Sequence, residues 1–145
     1  MLYMDSKKPD FTLLDHTADL GIIVRGRDLR TLFEAAAKSM MYIMVKGKPA
    51  DTTKAFNLSV EGYDLADLMV RWLGEILYLF EGEHELVTGV DITSVSHSHL
   101  NATLEIVYFD TNLHEILCEI KAVTFHQIEV AKKDDHWETR IIFDL

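Results

Sequence analysis

The chain holds a single cysteine, Cys118, in 145 residues. That excludes an internal disulfide framework and a cysteine-rich zinc site, and it points to a reducing compartment. Basic residues are also scarce: 14 Lys and Arg stand against 24 Asp and Glu, a formal net charge of -10. Nucleic-acid binders neutralise phosphates with cations. Free-standing binding of RNA or DNA is therefore disfavoured, and a metal or a protein with a basic surface is favoured. No apolar run approaches the ~18 residues that span a bilayer. The start, Met1-Leu2-Tyr3-Met4-Asp5-Ser6-Lys7-Lys8, is too short and too polar for a signal peptide. A cytoplasmic protein without a membrane partner is the expectation. There is no glycine-rich phosphate loop and no dinucleotide fingerprint, and no Ser or Cys sits in a nucleophile-elbow setting. Cys118 lies among Leu117 and Ile120 and reads as a buried or edge thiol.

What is present is an ordinary globular composition, 48% apolar and 26% charged, which separates the chain from disordered ones. The length fits one domain over residues 1–145, large enough for its own core, with residues 1–10 expected to be flexible. Phe11 to Leu14 and Gly21 to Arg25 read as strands, rich in β-branched residues. Gly26 punctuates, Asp28 can cap a helix, and Leu29, Leu32, Phe33, Ala36, Met40, Ile43 and Met44 recur at helical spacing. Gly47 to Thr53, with Pro49, reads as a loop and Ala55 to Val60 as a strand. Asp64 can cap a second helix running to Phe80 and ended by Gly82. From Glu85 the period changes to two, with strands at Val90–Val95, Leu100–Tyr108, Ala122–Val130 and Trp137–Phe143. Asp134-Asp135 marks a hairpin turn between the last two. The fold class is α+β: two amphipathic helices packed on a largely antiparallel sheet.

Chemistry concentrates in Asp15-His16-Thr17-Ala18-Asp19 and at the end, Ile141-Ile142-Phe143-Asp144-Leu145. An Asp closing an apolar strand is odd as a core residue. It makes sense if Asp19, Asp144 and the α-carboxylate of Leu145 gather as oxygen ligands, which suit calcium, magnesium or manganese better than zinc. The bland alternative is a turn residue and a solvated terminus. Lys121, just inside an apolar strand, either sits in solvent at the strand entry or faces a carboxylate. Alternation places Lys121, Val123 and Phe125 on one face and Ala122, Thr124 and His126 on the other. His16, His114 and His126 are possible metal ligands, but their spacing gives no support, and a lone His is more often a hydrogen-bonded structural group. Arg25, Arg27 and Arg30 form the only compact basic group near the Asp15–Asp19 segment, read as a solvated turn and helix start.

Three separated segments, Asp15-His16-Thr17-Ala18-Asp19-Leu20-Gly21, Glu119-Ile120-Lys121-Ala122-Val123-Thr124-Phe125-His126 and Asp144-Leu145, together resemble the archease family. The likeness extends over nearly the whole chain, including Asp64-Leu65 and Trp137. Archeases are cytosolic protein cofactors of the RtcB-type RNA ligase, which joins 3′-phosphate or 2′,3′-cyclic phosphate ends to 5′-hydroxyl ends in tRNA splicing and repair. The resemblance implies a non-catalytic activator that promotes ligase guanylylation and multiple turnover and meets tRNA only through the ligase. It implies a divalent-metal site, calcium first, at Asp19, Asp144 and Leu145, with Lys121 functionally important. Asp15 and His16 match motif positions, and His114 and His126 match recurrent histidines. Two departures stand out. The Gly-Glu pair common before the counterpart of Asp110 is absent from Ile106-Val107-Tyr108-Phe109, and Phe125 replaces the commoner Tyr. Two rivals remain: a metal-dependent phosphatase or nuclease with His16 as base, and an interaction domain whose Asp residues are merely solvated.

Overall fold

A computed structural model describes residues 8–14, 19–48, 50 and 52–145. One local device starts both helices. Strand β2 (Leu20–Gly26) ends in Gly26, and Asp28 caps α1 (Leu29–Met44) by accepting from the Thr31 amide at 2.8 Å. Strand β4 (Lys54–Glu61) is followed by Gly62, and Asp64 caps α2 (Leu65–Glu83) by accepting from the Asp67 amide at 2.8 Å. Each helix folds straight back over its strand. A Cβ on Gly26 would lie 2.5 Å from the Leu32 nitrogen, and one on Gly62 would lie 2.7 Å from that of Leu68. Only glycine permits so close an approach.

The remaining strands are β1 (Phe11–Leu14), β3 (Val45–Gly47), β5 (Glu85–Val95), β6 (His99–Tyr108), β7 (His114–Ile116), β8 (Ala122–Val123), β9 (Glu129–Lys132) and β10 (Trp137–Asp144). All pairings are antiparallel and form three sheets. The largest runs β1-β2-β10-β8, with β9 also on β10; the others are β4-β6-β5 and β3-β7. The architecture is thus α+β, as the sequence pattern predicts. Helix α1 packs on β2, β5 and β10, and α2 on β4, β5, β8 and β9, so the two helices tie the large sheets together. The core between them holds Phe33, Trp72, Ile22, Met40, Leu68 and Phe143, all fully buried. The one polar atom of the Trp72 ring donates to the Phe33 carbonyl at 2.9 Å, which removes the cost of burying an unpaired N–H.

Several boundaries differ from the sequence reading. Helix α2 does not stop at Gly82; it runs to Glu83, and His84 adopts the left-handed cap at φ 56°. Strand β5 accordingly begins at Glu85. The expected strand Ala122–Val130 is two strands on one side of β10. Phe143 faces Val123 and Arg140 faces Glu129, so three extra residues loop out between them, with Gln127 at φ 53°. Strict alternation therefore fails beyond Thr124, and Phe125 is 60% exposed. The hairpin at Asp134-Asp135 is present, closed by the Lys133 amide on the His136 carbonyl at 2.8 Å. Among the described residues no helix is long and apolar enough to cross a membrane.

Candidate functional site

Strands β2 and β10 pair without interruption from Gly26 opposite Trp137 to Leu20 opposite Phe143. One residue further along each strand stand Asp19 and Asp144. Asp144 is the last residue of β10, whereas Asp19 precedes the first residue of β2, so both adjoin the Leu20–Phe143 pair. Phe143 is fully buried, so alternation turns Asp144 to the outer face, where it is exposed; Asp19 is half-buried. The pairing of two apolar strands thus carries Asp19 and Asp144 to the same end of the ladder.

Strand β8 grips the same strand end from the other side. Asp144 is opposite Ala122, and the Lys121 amide donates to the Asp144 carbonyl at 2.8 Å. Thr124 clamps the residue two before Asp144: its amide and its hydroxyl both donate to the Ile142 carbonyl, at 3.0 and 2.8 Å. The sequence reading assigned Thr124 no role. The signal was its place in the Lys121-Ala122-Val123-Thr124 segment, where a β-branched hydroxyl can hold a neighbouring strand. Lys121 is exposed, so its ammonium is solvated at the strand entry. The register sets it beside Leu145, whose side chain is 43% exposed.

Asp19, Asp144, Leu145 and Lys121 thus lie at one end of the β2–β10 ladder. Asp15 and His16 lie outside the described residues. Among the described residues no three His, Cys, Asp or Glu side chains cluster as a metal site, and the expected donor set of Asp19, Asp144 and the α-carboxylate of Leu145 includes only two side-chain carboxylates. Such oxygen-only donors fit a hard divalent cation, and their small number and place at a chain end fit weak, open binding.

The histidines are elsewhere. His114 is on β7, in the two-stranded sheet, and is 5% exposed. Its Nδ1 accepts from the Asp110 amide at 3.0 Å, and its ring lies against Phe109 at 5.8 Å. It builds the turn that carries the chain from β6 into β7. With Nδ1 accepting, the neutral ring carries its proton on Nε2, which is buried and unpartnered. His126 is exposed on the looped-out segment, where its amide donates to the Thr124 hydroxyl at 3.3 Å. Cys118 is half-buried, and burial pushes its thiol above the usual range, the wrong direction for a nucleophile. The basic group is engaged: Arg25 lies 3.3 Å from Glu138, Arg27 lies 3.8 Å from Asp28, and Arg30 donates to the Thr93 carbonyl at 3.4 Å.

Comparison with known proteins places the chain in a family and matches its fold. A model of the Archease protein family matches residues 11–145. Protein archease of Sulfurisphaera tokodaii is 30% identical over 139 residues, covering 93% of this chain and 98% of that protein. Protein archease of Methanosarcina barkeri is 29% identical over 146 residues, covering 98% and 100%. The solution structure of Methanobacterium thermoautotrophicum protein 1598 is similar at TM-score 0.68 and 30% identity, covering 93% of this chain and 98% of that one. The crystal structure of a Thermotoga maritima archease, described as a possible chaperone, shares the fold at TM-score 0.64 and 18% identity, covering 96% and 97%.

Proposed function

The chain belongs to the archease family, and from that premise we propose that it is a non-catalytic, cytoplasmic activator of an RtcB-type RNA ligase. In this reading it promotes ligase guanylylation and multiple turnover in tRNA splicing and RNA repair, and it meets tRNA only through the ligase. Asp19, Asp144 and the Leu145 α-carboxylate hold a divalent cation, calcium first and magnesium or manganese as alternatives. The observation that supports this most is the seam itself. Leu20 pairs with Phe143 and Ala122 with Asp144, and the Lys121 amide and Thr124 hold the end of β10, which supports a shared site for Asp19, Lys121 and Asp144.

Bound there, a divalent cation supplies positive charge for a triphosphate entering a metal-dependent active site. The chain's own residues do the rest. Phe143 and Ile141 anchor β10 in the core, and Thr124 fixes the strand's exit. Lys121 balances the carboxylates when the cation is absent and offers an ammonium to a phosphate or carboxylate when docked. With the basic group already engaged, the isolated protein binds RNA feebly at physiological salt.

The test is a ligase guanylylation and multiple-turnover assay with the native protein, Asp19→Ala, Asp144→Ala and a C-terminally extended form. Asp144→Ala loses most activation while folding normally. The extension converts the terminal carboxylate to an amide, a neutral and weaker ligand, and also lowers activity. Full activity in Asp144→Ala removes the terminal carboxylates from the mechanism. Phosphatase or nuclease activity of the chain alone overturns the non-catalytic assignment.

A further inference from the structure

The sheet β4-β6-β5 has two free edges, and they are built differently. The β5 edge is broken by register shifts between Val87 and Gly89 and between Ile92 and Ser94, and its Thr93 carbonyl takes the Arg30 side chain at 3.4 Å. Bulges and bridging charges are what proteins use to stop an edge from pairing. The β4 edge has neither. It runs in one register from Lys54 opposite Ile106 to Glu61 opposite His99, with no bulge and no proline, and with charges only at its two ends. Lys54 is already committed to Glu85 at 2.7 Å. Among the described residues nothing hydrogen-bonds to the outward side of the β4 backbone.

Below this edge lies a groove of about 370 Å³ lined by Ser59, Val60, Glu61, Arg71, Gly74 and Glu75. It adjoins a depression of about 240 Å³ reaching Tyr63 and Asp67. Gly74 sits in the middle of α2, where glycine is a poor helix former, and nothing lies within 4 Å of where its Cβ would be. Packing within this chain therefore gives no reason for it; the backbone is left bare on the groove floor. The groove's charge is one-sided. Arg71 is tied to Asp67 at 2.8 Å, and among the described residues Glu61 and Glu75 have no ion pair.

We propose that the β4 edge is a docking site for an extended segment of a partner protein, added as a fourth strand, with a lysine or arginine side chain lowered over Gly74 between Glu61 and Glu75. Main-chain hydrogen bonds supply affinity in such strand addition, and alternate side-chain pockets supply specificity. Charge decides the occupant. A second copy of this chain brings another net -10 to an acidic groove, whereas a basic strand neutralises it. The proposal is independent of the ligase reading.

The experiment follows backbone amide shifts of the full-length protein during titration with an acetylated, amidated peptide of sequence Thr-Val-Lys-Val-Lys-Val-Thr. Shifts concentrated in β4 and around Gly74 are expected. Affinity should fall at least tenfold when alternate peptide nitrogens are methylated, and at least tenfold when Glu replaces both Lys. Gly74→Arg, which fills the groove and reverses its charge, should also weaken binding at least tenfold. Glu75→Lys, at an exposed position, tests the charge alone if Gly74→Arg does not fold. The proposal is overturned by unperturbed β4 amides at millimolar peptide, by equal binding of the acidic or methylated peptides, or by sedimentation showing that copies of this chain pair through β4.

Discussion

At the Trp137 end of the β2–β10 ladder, Arg25 lies 3.3 Å from Glu138, and Glu138 meets His136 at 2.9 Å, while the other ring nitrogen of His136 meets Asp135 at 2.6 Å. At the Asp144 end, the carboxylates of Asp19 and Asp144 and the ammonium of Lys121 form no ion pair among the described residues. The two ends belong to the same pair of strands and share one buried middle, yet one matches its charges and the other carries two carboxylates without an ion pair among the described residues. Opposite charges across a ladder stabilise it. The first end therefore closes a hairpin, and the second leaves its carboxylates open to a charged partner. That contrast is what makes the seam the functional candidate rather than the more numerous charges around His136.

The contrast depends on the apolar step before the seam. Phe143 is fully buried directly opposite Leu20 and Val123, and it is the last side chain anchoring β10. Phe143→Ala should cost about 3–5 kcal/mol, the usual loss for a buried Phe truncation. Urea denaturation checks this. The loss should come with selective hydrogen-exchange deprotection of Ile142 to Leu145, while the hairpin at His136 stays protected. Equal deprotection at both ends would mean that the seam is not held separately.

The proposed metal reverses the sign of the seam. A cation that binds only the folded state stabilises it through mass action, about 2.7 kcal/mol at a free concentration one hundred times the dissociation constant. Calcium should therefore raise the melting temperature of the native protein. Asp144→Asn should abolish that rise, and without calcium it should leave stability unchanged or slightly improved, because one of two adjacent negative charges is gone. A calcium-dependent rise that survives in both Asp144→Asn and Asp19→Asn would place the cation elsewhere.

Both helices were legible in the sequence because their signals are local. Asp28 and Asp64 cap them as read, and the apolar stripes fall on the buried faces. What was not legible depends on distant pairing. The short strands β3 and β7 exist only because Val45 to Gly47 meets Ile116 to His114 across the chain, and three residues carry no periodicity. The break between β8 and β9 arises because both segments hold one partner strand in registers three residues apart. Alternation along Ala122 to Val130 cannot reveal that. The site was partly legible: family resemblance named Asp19, Lys121 and Asp144, but their place at one end of the ladder is a consequence of the β2–β10 and β8–β10 registers. Asp15 and His16 lie outside the described residues. His114 carried a visible histidine signal whose meaning, a turn held by the Asp110 amide, came only from the fold.

The smallest expected effect concerns the matched end and tests its chemistry by pH. Both ring nitrogens of His136 face carboxylates, at 2.6 and 2.9 Å, so the protonated ring, with two donors, satisfies both contacts. Its bonds to Glu138 and then Asp135 raise its pKa above the usual value, and the same contacts lower those of Glu138 and Asp135. A raised histidine pKa gives stability that is fully present below the unfolded value, about 6.5, and is lost as pH rises through the native value. The lowered carboxylate values give stability that is present above their unfolded values, about 4, and is lost as pH falls through the native ones. The hairpin should thus be tightest between about pH 4.5 and 6.5. His136→Gln should remove the part of the melting-temperature decline between pH 6 and 8 that this ring supplies, a shift small beside that of Phe143→Ala because the cluster is at the surface and screened by salt. Protection factors of the Lys133 and Trp137 amides, referred to the base-catalysed intrinsic rate, should fall over the same interval in the native protein and stay flat in the variant. Parallel slopes in the two proteins would show that the His136 cluster is as idle in folding as an isolated surface charge, and the difference between the two ends of the ladder would rest on the seam alone.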